Sequence, residues 1–138
     1  MTPAGLLLDT CAVIWVFAGE PIAAPARAAV ADAAERGALH ISPISAWEIG
    51  LLAAKGRIAL SMPPTRWVAR ALAHPGVTIA PLDPETLVES SFLPSTPPAD
   101  PADRIIIATG RALGLSVVTR DSVILDYAEK GHVRATPC

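Results

Sequence analysis

The stretch from Asp100 to Asp121, D-P-A-D-R-I-I-I-A-T-G-R-A-L-G-L-S-V-V-T-R-D, leaves a chain few ways to fold. Asp100 before Pro101 reads as a helix N-cap followed by the first helical position, and Asp103 falls in the first turn, where the helix dipole favours negative charge. Ile105, Ile106, Ile107 and Ala108 make this helix apolar on nearly every side, Gly114 is placed to end it, and Leu115 to Thr119 reads as a buried strand. Asp121 follows that strand at once. Asp103 and Asp121 can therefore meet at one edge of a sheet, provided the helix start and the strand's carboxyl end are neighbours.

The rest of the chain supplies the neighbours. Leu6, Leu7 and Leu8 form a short apolar strand that stops at Asp9-Thr10, and an apolar helix with Val13, Ile14, Val16 and Phe17 runs on to Gly19. A helix over Pro25 to Arg36 and a strand near Leu39 to Ser42 come next. Ser45-Ala46-Trp47-Glu48 has the spacing of a capping box, which would open a helix through Leu51 and Leu52 to Gly56 with Glu48 in its first turn. The pair Pro63-Pro64 leads into a helix carrying Trp67, Val68 and Leu72 that His74-Pro75-Gly76 stops. Val77 to Ala80 is a strand, Asp83-Pro84 starts a further helix, and the proline-rich run Leu93 to Pro98 reads as an ordered loop. Past Asp121 we expect a helix over Val123 to Lys130 and an edge strand near Val133 to Ala135. Strands alternating with helices imply an α/β fold: a mostly parallel central sheet of four to five strands, covered on both faces in a three-layer sandwich.

At 138 residues, 51% of them hydrophobic and with a mean hydropathy of +0.43, the sequence is expected to form a single domain over residues 1–138 with a substantial core. No apolar run approaches the roughly 20 residues of a membrane span, and the first residues lack the pattern of a secretory leader. The cytoplasm is the expected location. Cys11 and Cys138 show no metal or redox spacing and are read as reduced thiols. The formal charge of −2 does not mark a nucleic-acid binder, but with Asp9, Glu48, Asp103 and Asp121 set aside the other acids are outnumbered by the 11 Lys and Arg.

In open parallel sheets, function gathers outside the carboxyl ends of the strands. Asp9 and Asp121 follow strands directly, and Glu48 and Asp103 open helices that follow strand-to-helix turns, so all four can share that edge. Clustered carboxylates repel one another unless a cation joins them. Oxygen-only ligands select Mg²⁺ or Mn²⁺ over Zn²⁺, and such an ion can assist hydrolysis of a phosphodiester. Plainer roles stand beside this one: Asp100 as a cap, Glu48 as the far half of a capping box, Asp121 as a turn or cap residue. Thr10, Thr119 and Ser45 read either as caps or as hydroxyls that hold the carboxylates from behind. His40, His74 and His132 show no zinc spacing, and no glycine-rich loop suits nucleotide phosphates.

The four pieces L-L-L-D-T, S-A-W-E-I, D-P-A-D-R-I-I-I-A and V-V-T-R-D, in this order across almost the whole chain, resemble the PIN domain and, more narrowly, the VapC toxins of toxin–antitoxin pairs. The resemblance implies a Mg²⁺-dependent endoribonuclease, with Mn²⁺ able to substitute, in which Asp9, Glu48, Asp103 and Asp121 match the family's metal-binding acids. Asp100 would then cap its helix and support the site, with Thr10 and Thr119. Ala102 departs from the aromatic residue that the family often carries there. The resemblance also implies a homodimer and a VapB-type antitoxin whose tail lies in the active-site groove and often presents an arginine to the acids; the helix of Trp47, Leu51 and Leu52 could supply such a groove, although these residues could equally fill the core. For RNA contact, Arg104 and Arg120 flank the two aspartates, and Arg27, Arg66, Arg70 and Arg111 could face phosphates, although solvated or salt-bridged roles fit equally. Two alternatives fit the same residues: an RNA- or metal-binding PIN module without a toxin role, and a nuclease of RNA processing. A haloacid-dehalogenase-type phosphotransferase would need a second aspartate where Cys11 stands, and a receiver-like module would need adjacent early acids.

Overall fold

A computed structural model describes residues 5–138. The absence of a leader was read in part from the first four residues, which lie outside the described residues.

Five short strands make the sheet: β1 (Leu6–Leu8), β2 (Leu39–Ile41), β3 (Val77–Ile79), β4 (Ser116–Thr119) and β5 (Arg134–Pro137). Their spatial order is β3-β2-β1-β4-β5, and every neighbouring pair is parallel, with Leu6 opposite Leu39 on one side and Ser116 on the other. β1 is therefore central. Among the described residues seven helices connect and cover the strands: α1 (Thr10–Ala18), α2 (Ala24–Glu35), α3 (Pro43–Ala54), α4 (Pro64–Ala73), α5 (Pro84–Glu89), α6 (Pro101–Leu113) and α7 (Ser122–Glu129).

Alternation along the strands divides the core in two. Leu6, Leu8 and Val118 pack with Val13, Val30, Ile49 and Trp67 on one face, whereas Leu7 and Val117 pack with Ile106, Ile107, Ile124 and Tyr127 on the other. This is the expected three-layer arrangement around a parallel sheet, and it explains why the central strand β1 reads as an unbroken apolar run. The proline-rich loop is ordered as expected. Tyr127 donates its hydroxyl hydrogen to the Pro94 carbonyl at 2.6 Å, and Arg104 donates from Nε to the Pro98 carbonyl at 2.6 Å. Among the described residues no helix is long and apolar enough to cross a membrane.

One boundary differs from the expectation in a way that matters for the site. α3 begins at Pro43, and its cap is Ser42, whose hydroxyl oxygen accepts from the Ile44 amide at 3.1 Å. Proline at the first helical position pre-sets the backbone, so Ser42-Pro43 starts the helix three residues before Ser45. Ser45 is then fully buried inside the helix, and Glu48 lies in the second turn, not the first. The two sit three residues apart, which puts them on one face.

Gly76, in the turn before β3, has φ of +87°, and a Cβ built there would lie 1.9 Å from the carbonyl oxygen of Ala34. Gly76→Ala is expected to destabilise the fold by on the order of 1–3 kcal/mol or more, read as a lower denaturant midpoint at unchanged slope.

Candidate active site at the carboxyl edge of the sheet

Asp9 leaves the end of the central strand and caps α1. Its backbone amide donates to the Val118 carbonyl at 3.0 Å, which ties it to β4, and its side chain is buried. One carboxyl oxygen, Oδ1, accepts from the Thr10 amide at 2.8 Å, and the other, Oδ2, accepts from the Thr119 hydroxyl at 2.9 Å. The Thr119 hydroxyl oxygen also accepts from the Asp121 amide at 3.0 Å. A single buried threonine, 110 positions along the chain from Asp9, thus links the first and last acids of the site.

On the other side, the Thr10 hydroxyl donates to Glu48 and lies 3.0 Å from the Ser45 hydroxyl. The placement of Ser45 and Glu48 on one face of α3 aims both at α1. Thr10 and Thr119 therefore do hold carboxylates from behind, and Ser45 helps hold Thr10. Asp103 lies in the first turn of α6, under the Asp100 cap, whose carboxyl oxygen accepts from the Asp103 amide at 3.0 Å. Asp121 caps α7, accepting from the amides of Val123 and Ile124 at 2.8 and 3.3 Å.

The electrostatics show that these acids share one region. Burial pushes the Asp103 carboxyl up to about 7, with Asp9, Asp100, Asp121 and Glu48 adding to the rise. Asp9 is raised by burial, with Asp121 and Asp100 adding, while the hydrogen bonds from Thr119 and Thr10 pull the other way. Glu48 is raised by burial, then by Asp9 and Asp100, and lowered by the Thr10 hydroxyl. The expected cap role of Asp100 holds, and its charge also reaches Asp9, Glu48 and Asp103. Cys11, given no role from sequence, stands on the first turn of α1 in the same field. Its thiol is pushed up to about 11 by burial and then by Asp9, Glu48, Asp103 and Asp121. Its position directly after Asp9-Thr10 was the available signal.

The arginines are placed differently from a pair of free phosphate arms. Arg104 is half-buried and engaged with the Pro98 carbonyl. Arg120 is exposed, lies over the Trp15 ring with its guanidinium carbon 3.9 Å from the centroid, and donates to the carbonyls of Pro21 and Cys138 at 3.4 and 3.1 Å. Trp15 had no sequence signal, since the contact joins a helix to a strand end 105 positions later. Arg27 and Arg111 also donate to backbone carbonyls.

No three metal-binding side chains among the described residues stand close enough, as they lie, to surround one ion. The donor chemistry of the four acids nevertheless fits a hard divalent cation: all are carboxylates, and three are held above their ordinary pKa. Arg36 and Asp32 form an ion pair at 3.0 Å at the end of α2.

The model of the PIN domain matches residues 6–130, and the chain belongs to the PIN-domain family. It is 34% identical to ribonuclease VapC22 of Mycobacterium tuberculosis over 118 residues, covering 84% of this chain and 86% of that protein. It also resembles the crystal structure of DNA-bound VapBC from Salmonella typhimurium, with a TM-score of 0.67 at 20% identity over 98% of both chains. VapBC2 from Rickettsia felis, bound to a fragment of promoter DNA, gives a TM-score of 0.67 at 12% identity over 96% of this chain and 97% of that one. These two likenesses reproduce the fold: a parallel sheet between helical layers.

A carboxyl that holds its proton more tightly when folded loses stability as pH rises. For Asp103 the window runs from its ordinary 3.8 to about 7. In the presence of a chelator, the thermal midpoint of the protein is expected to fall across that window and level off above it. Asp103→Asn is expected to flatten the profile and to raise the midpoint at pH 8.

Proposed function

We propose that this chain is the toxin of a type II toxin–antitoxin pair, a Mg²⁺-dependent endoribonuclease that hydrolyses RNA phosphodiester bonds at the carboxyl edge of its sheet. The observation that carries this reading is the convergence of Asp9, Glu48, Asp103 and Asp121, with burial and mutual repulsion pushing the Asp103 carboxyl up to about 7. Such a cluster favours a bound cation over four free charges. Membership of the PIN family and the relationship to a VapC ribonuclease support it.

Asp9, Glu48, Asp103 and Asp121 would hold the Mg²⁺, and Mn²⁺ would serve as well. When bound, the ion supplies an activated water and neutralises charge growing on the phosphoryl oxygens. The chain's own residues do the positioning. Thr119 fixes Asp9 and, through its contact with the Asp121 amide, the start of α7. Thr10 and Ser45 fix Glu48. The Asp100 cap fixes the first turn of α6, on which Asp103 stands. Asp103, pushed up to about 7, remains partly protonated near neutral pH until the cation arrives, so metal loading releases a proton and depends on pH.

The partners follow from the same reading. RNA is the substrate. A VapB-type antitoxin would cover the exposed apolar strip of α3, where Trp47 is 60% and Leu51 38% exposed, and the active form would be a homodimer in the cytoplasm.

A cleavage time course on a host RNA pool, with Mg²⁺ added or chelated, tests the reading. The wild type is expected to cleave only with Mg²⁺, and Asp9→Asn to cleave at least roughly a hundredfold more slowly. Stoichiometric Mn²⁺ binding with no turnover of any RNA would point instead to a PIN module that only binds. Equal cleavage by both proteins would remove the acidic cluster from the chemistry.

A further inference from the structure

We infer that Arg120 and Trp15 form a stacking platform for a base of the RNA strand next to the scissile phosphodiester. The inference rests on the nuclease reading above and adds the subsite that would hold the flanking nucleotide.

Arg120 stands between Thr119, which binds Asp9, and Asp121, so its backbone is fixed at the rim of the acidic cluster. Its side chain turns toward α1, where the guanidinium carbon lies over the Trp15 ring, 3.9 Å from the centroid, a separation that suits face-to-face packing. Trp15 lies six residues along α1 from Asp9, a rise of about 9 Å, within reach of a nucleotide flanking a phosphodiester held at the acids. The edge of the guanidinium is held as well, by the carbonyls of Pro21 and Cys138. The Cys138 amide in turn donates to the Thr119 carbonyl at 3.0 Å, so even this anchor is tied to the strand that carries the site.

A guanidinium restrained in this way differs from a mobile phosphate arm. Some of its N–H groups are engaged by carbonyls and one of its faces lies on an indole, which leaves the outer face of a fixed, charged plane. A nucleobase stacks well on such a plane, and the positive charge suits the polyanion that carries the base. The platform borders a hollow of about 620 Å³ lined by Ile14, Trp15, Phe17, Pro21, Leu60 and Arg120. Its wall is mixed, with the Glu20 carboxylate and the Ser61 hydroxyl beside the apolar side chains, so a base seated on the platform would meet both apolar surface and hydrogen-bonding groups. Lysine at position 120 would retain the charge and lose the plane.

The distinguishing experiment compares binding of a single-stranded RNA oligomer with binding of the same oligomer carrying abasic nucleotides beside the cleavage site, which keep every phosphate. Asp103→Asn serves as the non-cleaving background for R120K and R120A, with thermal midpoints as the check on folding and affinities taken across a salt series. With arginine present, the abasic oligomer is expected to bind roughly tenfold more weakly than the intact one. R120K is expected to lose that discrimination while keeping the salt slope. If R120A fails to fold, R120K and the abasic oligomer still decide the matter.

R120K discriminating as the arginine protein does, with R120A alone losing affinity and about one unit of salt slope, would make Arg120 a plain phosphate contact and overturn the platform. RNA affinity indifferent to both substitutions and to base removal would assign the hollow to a protein partner and overturn it too. In either case, Mg²⁺-dependent cleavage by the wild type would leave the nuclease reading standing. A wild type that neither binds nor cleaves RNA would remove both.

Discussion

The Asp9 carboxylate sits buried at the end of the central strand, in the position where an uncompensated charge is most costly. Everything nearby answers to that cost. Thr119 and the Thr10 amide each donate to one of its oxygens, and the N-terminus of α1 begins directly at it. Parallel strands joined by crossover helices bring other helix starts to the same edge. α6 and α7 open there under Asp100 and Asp121, and α3 brings in Glu48 from its second turn. Helix N-termini present partial positive charge and free N–H groups, so the fold tolerates several acids at one place. It does not neutralise them: burial first, and then the remaining repulsion from neighbouring acids, raises the carboxyls of Asp9, Glu48 and Asp103.

That remaining repulsion connects structure to function. A site in which hydrogen bonds hold the carboxylates while their charges stay unmatched is poised for a cation, and the cation is where the phosphodiester chemistry of the proposed nuclease would come from. The hydroxyls of Thr10, Ser45 and Thr119 are neutral, so they orient the acids without competing for them as an arginine would. The cationic groups stand outside this layer: Arg104 engages the proline-rich loop, and Arg120 lies on Trp15 at the rim.

Much of this was legible in the sequence, for identifiable reasons. Asp100-Pro101 and Asp83-Pro84 announce helix starts because a capping side chain and a pre-set φ act locally, and both caps are present. The Leu6–Leu8 and Ser116–Thr119 strands were readable as buried because each is apolar on both faces. The same reasoning, applied to Ser42-Pro43, gives the true start of α3; the S-x-x-E spacing from Ser45 to Glu48 competed with it and drew the boundary three residues late. The spacing had a different cause, since Ser45 and Glu48 share a face that meets Thr10. Contacts between distant segments left no local trace. Neither the Trp15–Arg120 stack nor the position of Cys11 among the acids follows from periodicity or capping, because each depends on how α1 and β4 lie side by side.

The central claim is that Asp103 sits in a field of unmatched negative charge that a divalent cation relieves. It is tested most directly by following the Asp103 carboxyl carbon by NMR as pH is varied, with a chelator and then with Mg²⁺. The account predicts a midpoint near 7 in the chelator and a large fall once Mg²⁺ is present. A midpoint close to the ordinary 3.8 under both conditions would contradict it.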